Sequence, residues 1–305
     1  MNRAPFFPAA LVRLAIFFLL CAAAAGRSAG AEGAWLPTNW NGERALRSVS
    51  QGRVAVVSLE RGRLMHFGPV DRDVNLVLAP SRENRNRLGG HRLWLGPQSA
   101  WAKIWPPPDA WEYREADTVT DDAGILRLAM AATGDAWPRL TRTYHWAGGS
   151  LVCGAEFSGG SRPAQFVQIL QVSPAMAIAA TAQTDPDHPM GYVQLFSTAG
   201  SFATRFAEPP HVTRTGSSLA LRHTGEVMKL GFRPQTLSGR LGGFELQVSR
   251  GASTGQIVAE PDEGFHTQVY LSTANEAFAE LEQLSPLFAP GQPARFEMVL
   301  TLVAP

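Results

Sequence analysis

The residues best equipped for chemistry fall in two places. The first is Gly89 to Trp111, which holds four of the chain's eight tryptophans, Trp94, Trp101, Trp105 and Trp111, beside His91 and Arg92. An indole offers a flat apolar face with one polar handle, which suits the C–H face of a sugar ring. Arg92 can fork two hydrogen bonds to hydroxyls or a carboxylate. The plainer alternative is that these tryptophans cap the end of a β core, with Pro106-Pro107-Pro108 stiffening the loop. The second place is Glu280-Leu281-Glu282, where a strand would put both carboxylates on one face and Leu281 on the other. On an open sheet that face is simply polar and wet. Facing a cleft, the pair can bind hydroxyls or exchange protons.

Other titratable groups are scattered: His66, His145, His266, Glu260 and Glu263. Each alone is more readily structural or solvated than catalytic, because a histidine's role comes from its surroundings. His145 lies between Tyr144 and Trp146, so it faces away from both. If those two are core, His145 faces solvent or a cleft. No phosphate-cradling glycine loop, metal-spaced His-Glu pair, paired cysteines or Gly-x-Ser-x-Gly elbow occurs. No metal or cofactor is expected.

The elements that must position these groups read as strands. Val54–Leu59, Arg63–Gly68 and Asn75–Leu78 are short extended runs, the first two joined by a turn at Arg61-Gly62. Asp121-Asp122-Ala123-Gly124 is a turn signal before the alternating Ile125–Met130. Leu140–Trp146 turns at Gly148-Gly149 and returns as Leu151–Phe157. Later runs are Phe166–Val172, Tyr192–Phe196, Val227–Phe232, Phe244–Ser249, His266–Leu271, Phe278–Leu284 and Arg295–Leu302. The segment from Gly89 is broken by Gly and Pro, so it reads as a strand end followed by a long ordered loop. No long amphipathic helix competes, and antiparallel sandwich or barrel architecture follows.

At the amino terminus Arg3 and Arg13 precede an uncharged run from Leu14 to Gly26 and then Ala29-Gly30-Ala31, the pattern of a secretory signal peptide cleaved near Ala31. The expected mature protein is exported to the periplasm or beyond, with no transmembrane segment. Phe18-Leu19-Leu20 before Cys21 argues against a lipid anchor. Cleavage leaves Cys153 alone, so no intramolecular disulfide is available. The remaining chain of about 270 residues, 32–305, fits one all-β domain. A formal net charge of +1 with scattered signs gives no basic stripe, which excludes nucleic acid as a partner.

Gly62–Gly68 leading to Asn75-Leu76, then Gly89–Trp94 with Gly96-Pro97-Gln98, Trp101 and Trp105-Pro106-Pro107, resembles the amino-terminal half of the DUF4380 family. His266–Ser272, Glu280–Leu287 and Pro290-Gly291 resemble its carboxyl-terminal part. That family is similar to the galactose mutarotase-like group, so the resemblance implies an antiparallel β-supersandwich with a carbohydrate cleft on one concave sheet. It also implies sugar-binding roles for Arg63, Asn75, His91, Arg92, Trp94, Trp101 and Trp105. In the group's epimerases a carboxylate takes the anomeric proton while a histidine protonates the ring oxygen. By that pattern Glu282 is the base, and His145 the nearest substitute for an acid that the central strands lack. The expected partner is a sugar or glycan. The leading expectation is an exported carbohydrate-binding protein. The alternatives are a cofactor-free epimerase and a non-catalytic envelope protein that keeps the sandwich.

Overall fold

The computed structural model describes residues 32–79, 88–97, 107, 111, 115–130, 137–198, 201–205, 211–260, 262–275 and 277–303. The expected leader over 1–31, and Trp101 and Trp105, lie outside the described residues. Among the described residues, the elements with defined bounds are strands apart from a 3-10 turn at Asp262–Gly264, and their pairings are antiparallel.

Among the described residues three larger sheets build the body, beside a two-stranded pairing of Ile257–Ala259 with Leu287–Phe288. A four-stranded meander runs Leu36–Trp40, Glu43–Ser50, Arg53–Ser58 and Arg63–Pro69. A seven-stranded sheet has the order Ser201–Arg205, Val193–Thr198, Met228–Phe232, Thr267–Leu271, Ala279–Leu284, Gln165–Val172 and His91–Gly96. A ten-stranded sheet runs from Val212–Thr215 through Ser218–Leu221, Ala177–Thr181, Thr236–Leu241, Phe244–Thr254, Ala294–Val303, Ser150–Ser158, Arg139–Ala147 and Ile125–Met130 to Thr118–Asp122.

The two large sheets face one another because each strand alternates. Leu170, Leu230, Val269 and Leu281 of the seven-stranded sheet pack with Leu128, Tyr144, Leu237, Val248 and Leu300 of the ten-stranded one, and Ala55, Val57, Leu64 and Phe67 of the meander complete this core. Each fully buried aliphatic side chain contributes about 1.5–3 kcal/mol. The strand Ala294–Val303 shows the period plainly, buried and half-buried residues alternating along all ten positions.

The expected runs over Val54–Leu59, Leu140–Phe157 and Phe166–Val172 coincide with strands to within a residue or two. Asn75–Leu78 does not: no strand forms there. Asn75 instead uses its side chain as a substitute for a strand partner. Its Oδ1 accepts from the backbone N–H of Phe67 and Val77, and its Nδ2 donates to the Met65 carbonyl. An Asn side chain that satisfies backbone groups locally competes with a ladder.

Gly89 and Gly90 both have positive φ and feed the chain into the edge strand His91–Gly96. At Gly90 (φ 82°) a Cβ would stand 2.7 Å from the Leu64 carbonyl oxygen and 2.8 Å from Arg63 Cδ. Gly90→Ala is therefore expected to cost about 2–5 kcal/mol, combining left-handed strain with overpacking. Urea denaturation checks this, and an unchanged midpoint would refute it.

Candidate functional site

The two carboxylates singled out from the sequence sit on the strand Ala279–Leu284. Ala279, Leu281 and Gln283 turn toward the ten-stranded sheet, the last donating to the Val248 carbonyl. Glu280 and Glu282 therefore share the opposite face. That face is not wet: Glu280 is 6% exposed and Glu282 2%.

The strand registers place the other groups. Gln171, Glu280, Tyr270 and Lys229 form one row across four adjacent strands. Arg92, Ile169, Glu282 and Gln268 form the next, and Trp94 pairs with Val167 in the row beyond. The ion pairs run diagonally between rows. Arg92 Nη1 lies 3.3 Å from Glu280 Oε1, and Lys229 Nζ lies 2.9 Å from Glu282 Oε2. Gln171 Nε2 donates to Glu280 Oε1 at 2.7 Å. The Arg92 guanidinium also lies 5.3 Å from the Trp94 ring centroid, within cation–π range.

The Glu280 carboxyl lies in a dry face with the Glu282 carboxylate nearby. Burial, and next the charge of Glu282, push the Glu280 carboxyl up to about 7, against the opposing pull of Arg92, Gln171 and Lys229. Glu280 is thus poised to hold or release a proton near neutrality. An apolar ring, two cations, a carboxylate and a carboxyl of shifted affinity occupy one sheet face. Such a set can bind a hydroxylated ring and move protons on it. Among the described residues no three His, Cys, Asp or Glu side chains gather as metal ligands would.

Arg92, Trp94 and Glu282 come together as the sequence suggested; of the other expected residues that are described, His91, His145, Arg63 and Asn75 do not join them. His91 faces the inter-sheet core, as its neighbour Arg92 faces out. It is fully buried, with Nε2 2.9 Å from Gln168 Oε1 and Nδ1 3.2 Å from the Tyr144 hydroxyl. Because Gln168 Nε2 donates to the Phe296 carbonyl, its Oε1 faces the imidazole and Nε2 carries the proton. Burial, then the Arg142 charge, push His91 down to about 3, so it stays neutral. Its role is to tie the two sheets.

His145 lies on the outer face of the ten-stranded sheet, with both sheets between it and Glu282. Tyr144 is indeed core, but the face left to His145 is the one away from the carboxylates. Arg63 is buried, and its Nη1 donates to the Gly89 carbonyl at 3.2 Å, bracing the entry to His91–Gly96. Asn75 is committed to the backbone of its own turn. Trp111 is fully buried, its carbonyl held by Arg142 Nη2 at 2.9 Å, and packs edge-on against Trp137. It serves as core, as the plainer reading of the tryptophans allowed.

Sequence reasoning passed over Lys229, Tyr270 and Gln171. One signal was present for the first: in Met228–Phe232 the inward residues Met228, Leu230 and Phe232 leave Lys229 outward. Which strands neighbour one another carries no such signal.

No protein-family model matches the chain, and no curated protein matches it in sequence. Solved structures do resemble it. A galactose mutarotase-like protein from Lactobacillus casei aligns over 85% of this chain and 100% of its own, with a TM-score of 0.58 and 11% identity. A putative mutarotase from Salmonella typhimurium aligns over 94% and 100%, with a TM-score of 0.56 and 9% identity. A putative aldose 1-epimerase from Escherichia coli aligns over 83% and 97%, with a TM-score of 0.54 and 12% identity. At such identities the likeness establishes the fold. The chain is an all-β, antiparallel sandwich of the galactose mutarotase-like fold.

Proposed function

We propose that this protein is an exported carbohydrate-binding protein whose sugar site is the outer face of the seven-stranded sheet around Arg92, Trp94, Glu280, Glu282 and Lys229. The observation that carries it is the pair of diagonal ion pairs, buried on one sheet face beside an indole. Burying charge is costly, and breaking even is the usual outcome, so such a cluster is retained for specificity or function more readily than for stability. In support, the fold is shared with the aldose 1-epimerase-like protein of Escherichia coli and the mutarotase-like protein of Salmonella typhimurium. Fold alone does not assign activity.

In this reading the leader 1–31 is removed, residues 32–305 form a single domain, and the DUF4380 resemblance describes the same site. The test is a titration with a panel of mono- and oligosaccharides followed by tryptophan fluorescence. At least one sugar should quench or shift the signal, and Glu282→Gln should weaken that sugar about tenfold or more, the loss of one charged hydrogen bond. Silence from every sugar would overturn the proposal.

One observation favours a second reading, a cofactor-free epimerase. Glu280 and Glu282 differ in their surroundings as an acid and a base must. Glu282 would take the proton of the anomeric hydroxyl while Glu280 gives its own to the ring oxygen. The bond from the anomeric carbon to the ring oxygen then breaks, leaving an open-chain aldehyde, and reversal on the other face gives the second anomer. In place of His145, the acid is Glu280. Following anomer interconversion of freshly dissolved glucose and galactose by NMR decides it. No acceleration by the wild-type protein leaves binding alone.

A further inference from the structure

The sugar site leaves unused a cavity of about 300 Å³ on the opposite surface of the molecule, the outer face of the ten-stranded sheet. The register builds it. Thr254, Arg295, Glu156 and Thr141 stand in one row across four neighbouring strands. Arg139 and Ser158 form a second row two residues further along the same face. All six line the cavity.

Its charges do not cancel. Glu156 is taken by Arg127, whose Nη1 lies 3.0 and 3.1 Å from its two oxygens. Arg295 Nη2 is taken by Glu297 at 2.7 Å. Arg295 Nε is shielded from solvent yet lacks a hydrogen bond, the nearest carboxylate being Glu156 Oε1 at 4.0 Å. Arg139 is exposed and has no partner among the described residues. Three guanidinium groups against two carboxylates leave one positive charge, and it resides on Arg139 at the rim. Around it three hydroxyls, of Thr141, Ser158 and Thr254, provide donors and acceptors without further charge.

We infer that this cavity is a second ligand site, for a hydroxylated monocarboxylate of monosaccharide size, the carboxylate seated on Arg139 and the hydroxyl groups on Thr141, Ser158 and Thr254. The volume lies at the lower end of small-molecule sites, which limits the occupant to about one sugar ring. A guanidinium receives a carboxylate through two parallel hydrogen bonds, which a neutral hydroxyl cannot replace. A dianion would bring a second negative charge toward Glu156; a neutral sugar would leave the positive charge of Arg139 to solvent alone. The site shares no residue with the sheet face bearing Glu282.

Calorimetric titration of the whole protein with D-galacturonate, and with D-galactose as its uncharged match, tests the inference. Galacturonate is expected to bind, and to bind more weakly as ionic strength rises. Arg139→Gln should weaken it about tenfold or more, while Glu282→Gln leaves this event intact. Because Arg139 is exposed, the variant retains its fold, and an unchanged thermal melt verifies that. Three results would each overturn the inference: no galacturonate binding up to about 10 mM, equal binding by Arg139→Gln, or loss in Glu282→Gln but not in Arg139→Gln. The galactose arm reports separately on the sheet face proposed above, so failure of one site is distinguishable from failure of the other.

Discussion

Arg92→Met should destabilise the protein by about 3–5 kcal/mol at pH 8 and by far less at pH 5. Arg92 and Glu280 form a buried pair, with side chains 2% and 8% exposed. Removing one member of such a pair leaves its partner's charge in a dry environment, which costs more than the pair itself contributes. Methionine keeps the aliphatic length against Trp94, so packing loss is small. The pH dependence follows from the proton. Burial and the charge of Glu282 already hold Glu280 near 7 with Arg92 present, and without the guanidinium it rises further. At pH 5 the carboxyl is protonated in the folded protein and carries no orphaned charge, still hydrogen-bonded by Gln171. At pH 8 the native state must either ionise without its cation or hold a proton against the solvent. Urea midpoints at the two pH values measure the difference. Equal destabilisation at both would mean that the contribution of Arg92 is packing, and the electrostatic account would fail.

What the sequence made legible, and what it did not, follows from the range of the forces involved. Alternation is local, so Ile125–Met130 reads correctly as a half-buried strand and Glu280 and Glu282 correctly share a face. The hairpin turn at Ala123-Gly124 was legible for the same reason, since both residues adopt positive φ. Exposed edges were missed: Leu36–Trp40 and Val212–Thr215 carry too little apolar character to stand out. Strand order is set by contacts between distant residues, and no periodicity reveals it. Lys229 and Arg92 each reach Glu282 or Glu280 only because Thr267–Leu271 and Gln165–Val172 flank the same strand. His145 was placed near a cleft because its alternation is right, whereas the sheet it belongs to is the other one. His91 is different, because the needed signal was present. Two consecutive residues of a strand cannot both face the same cleft, so choosing Arg92 already placed His91 in the core.

Glu280→Gln should remove a pH dependence of stability that the wild-type protein shows between about 4.5 and about 7. The sign is fixed by which state holds the proton. Glu280 has a folded value of about 7 against a usual glutamate value of 4.5, so in that window the native state binds more protons than the unfolded chain. Stability then falls as pH rises. The full contribution is present below 4.5 and is lost once pH is well past the folded value, a loss on the order of 3 kcal/mol. Glutamine carries no titrating proton, and its carbonyl still accepts from Arg92 and Gln171, so the slope should flatten without collapse of the site. Denaturation midpoints at closely spaced pH values measure it, and a carboxyl carbon NMR titration assigns the proton to Glu280. A flat wild-type profile, or a slope that survives in the variant, would place the proton elsewhere. The same substitution bears on the chemistry. If Glu280 gives its proton to a sugar ring oxygen, the wild-type rate of anomer interconversion falls above about pH 7. Glu280→Gln would then abolish the acceleration at every pH while sugar binding persists, because the amide can accept a hydrogen bond but has no acidic proton to give.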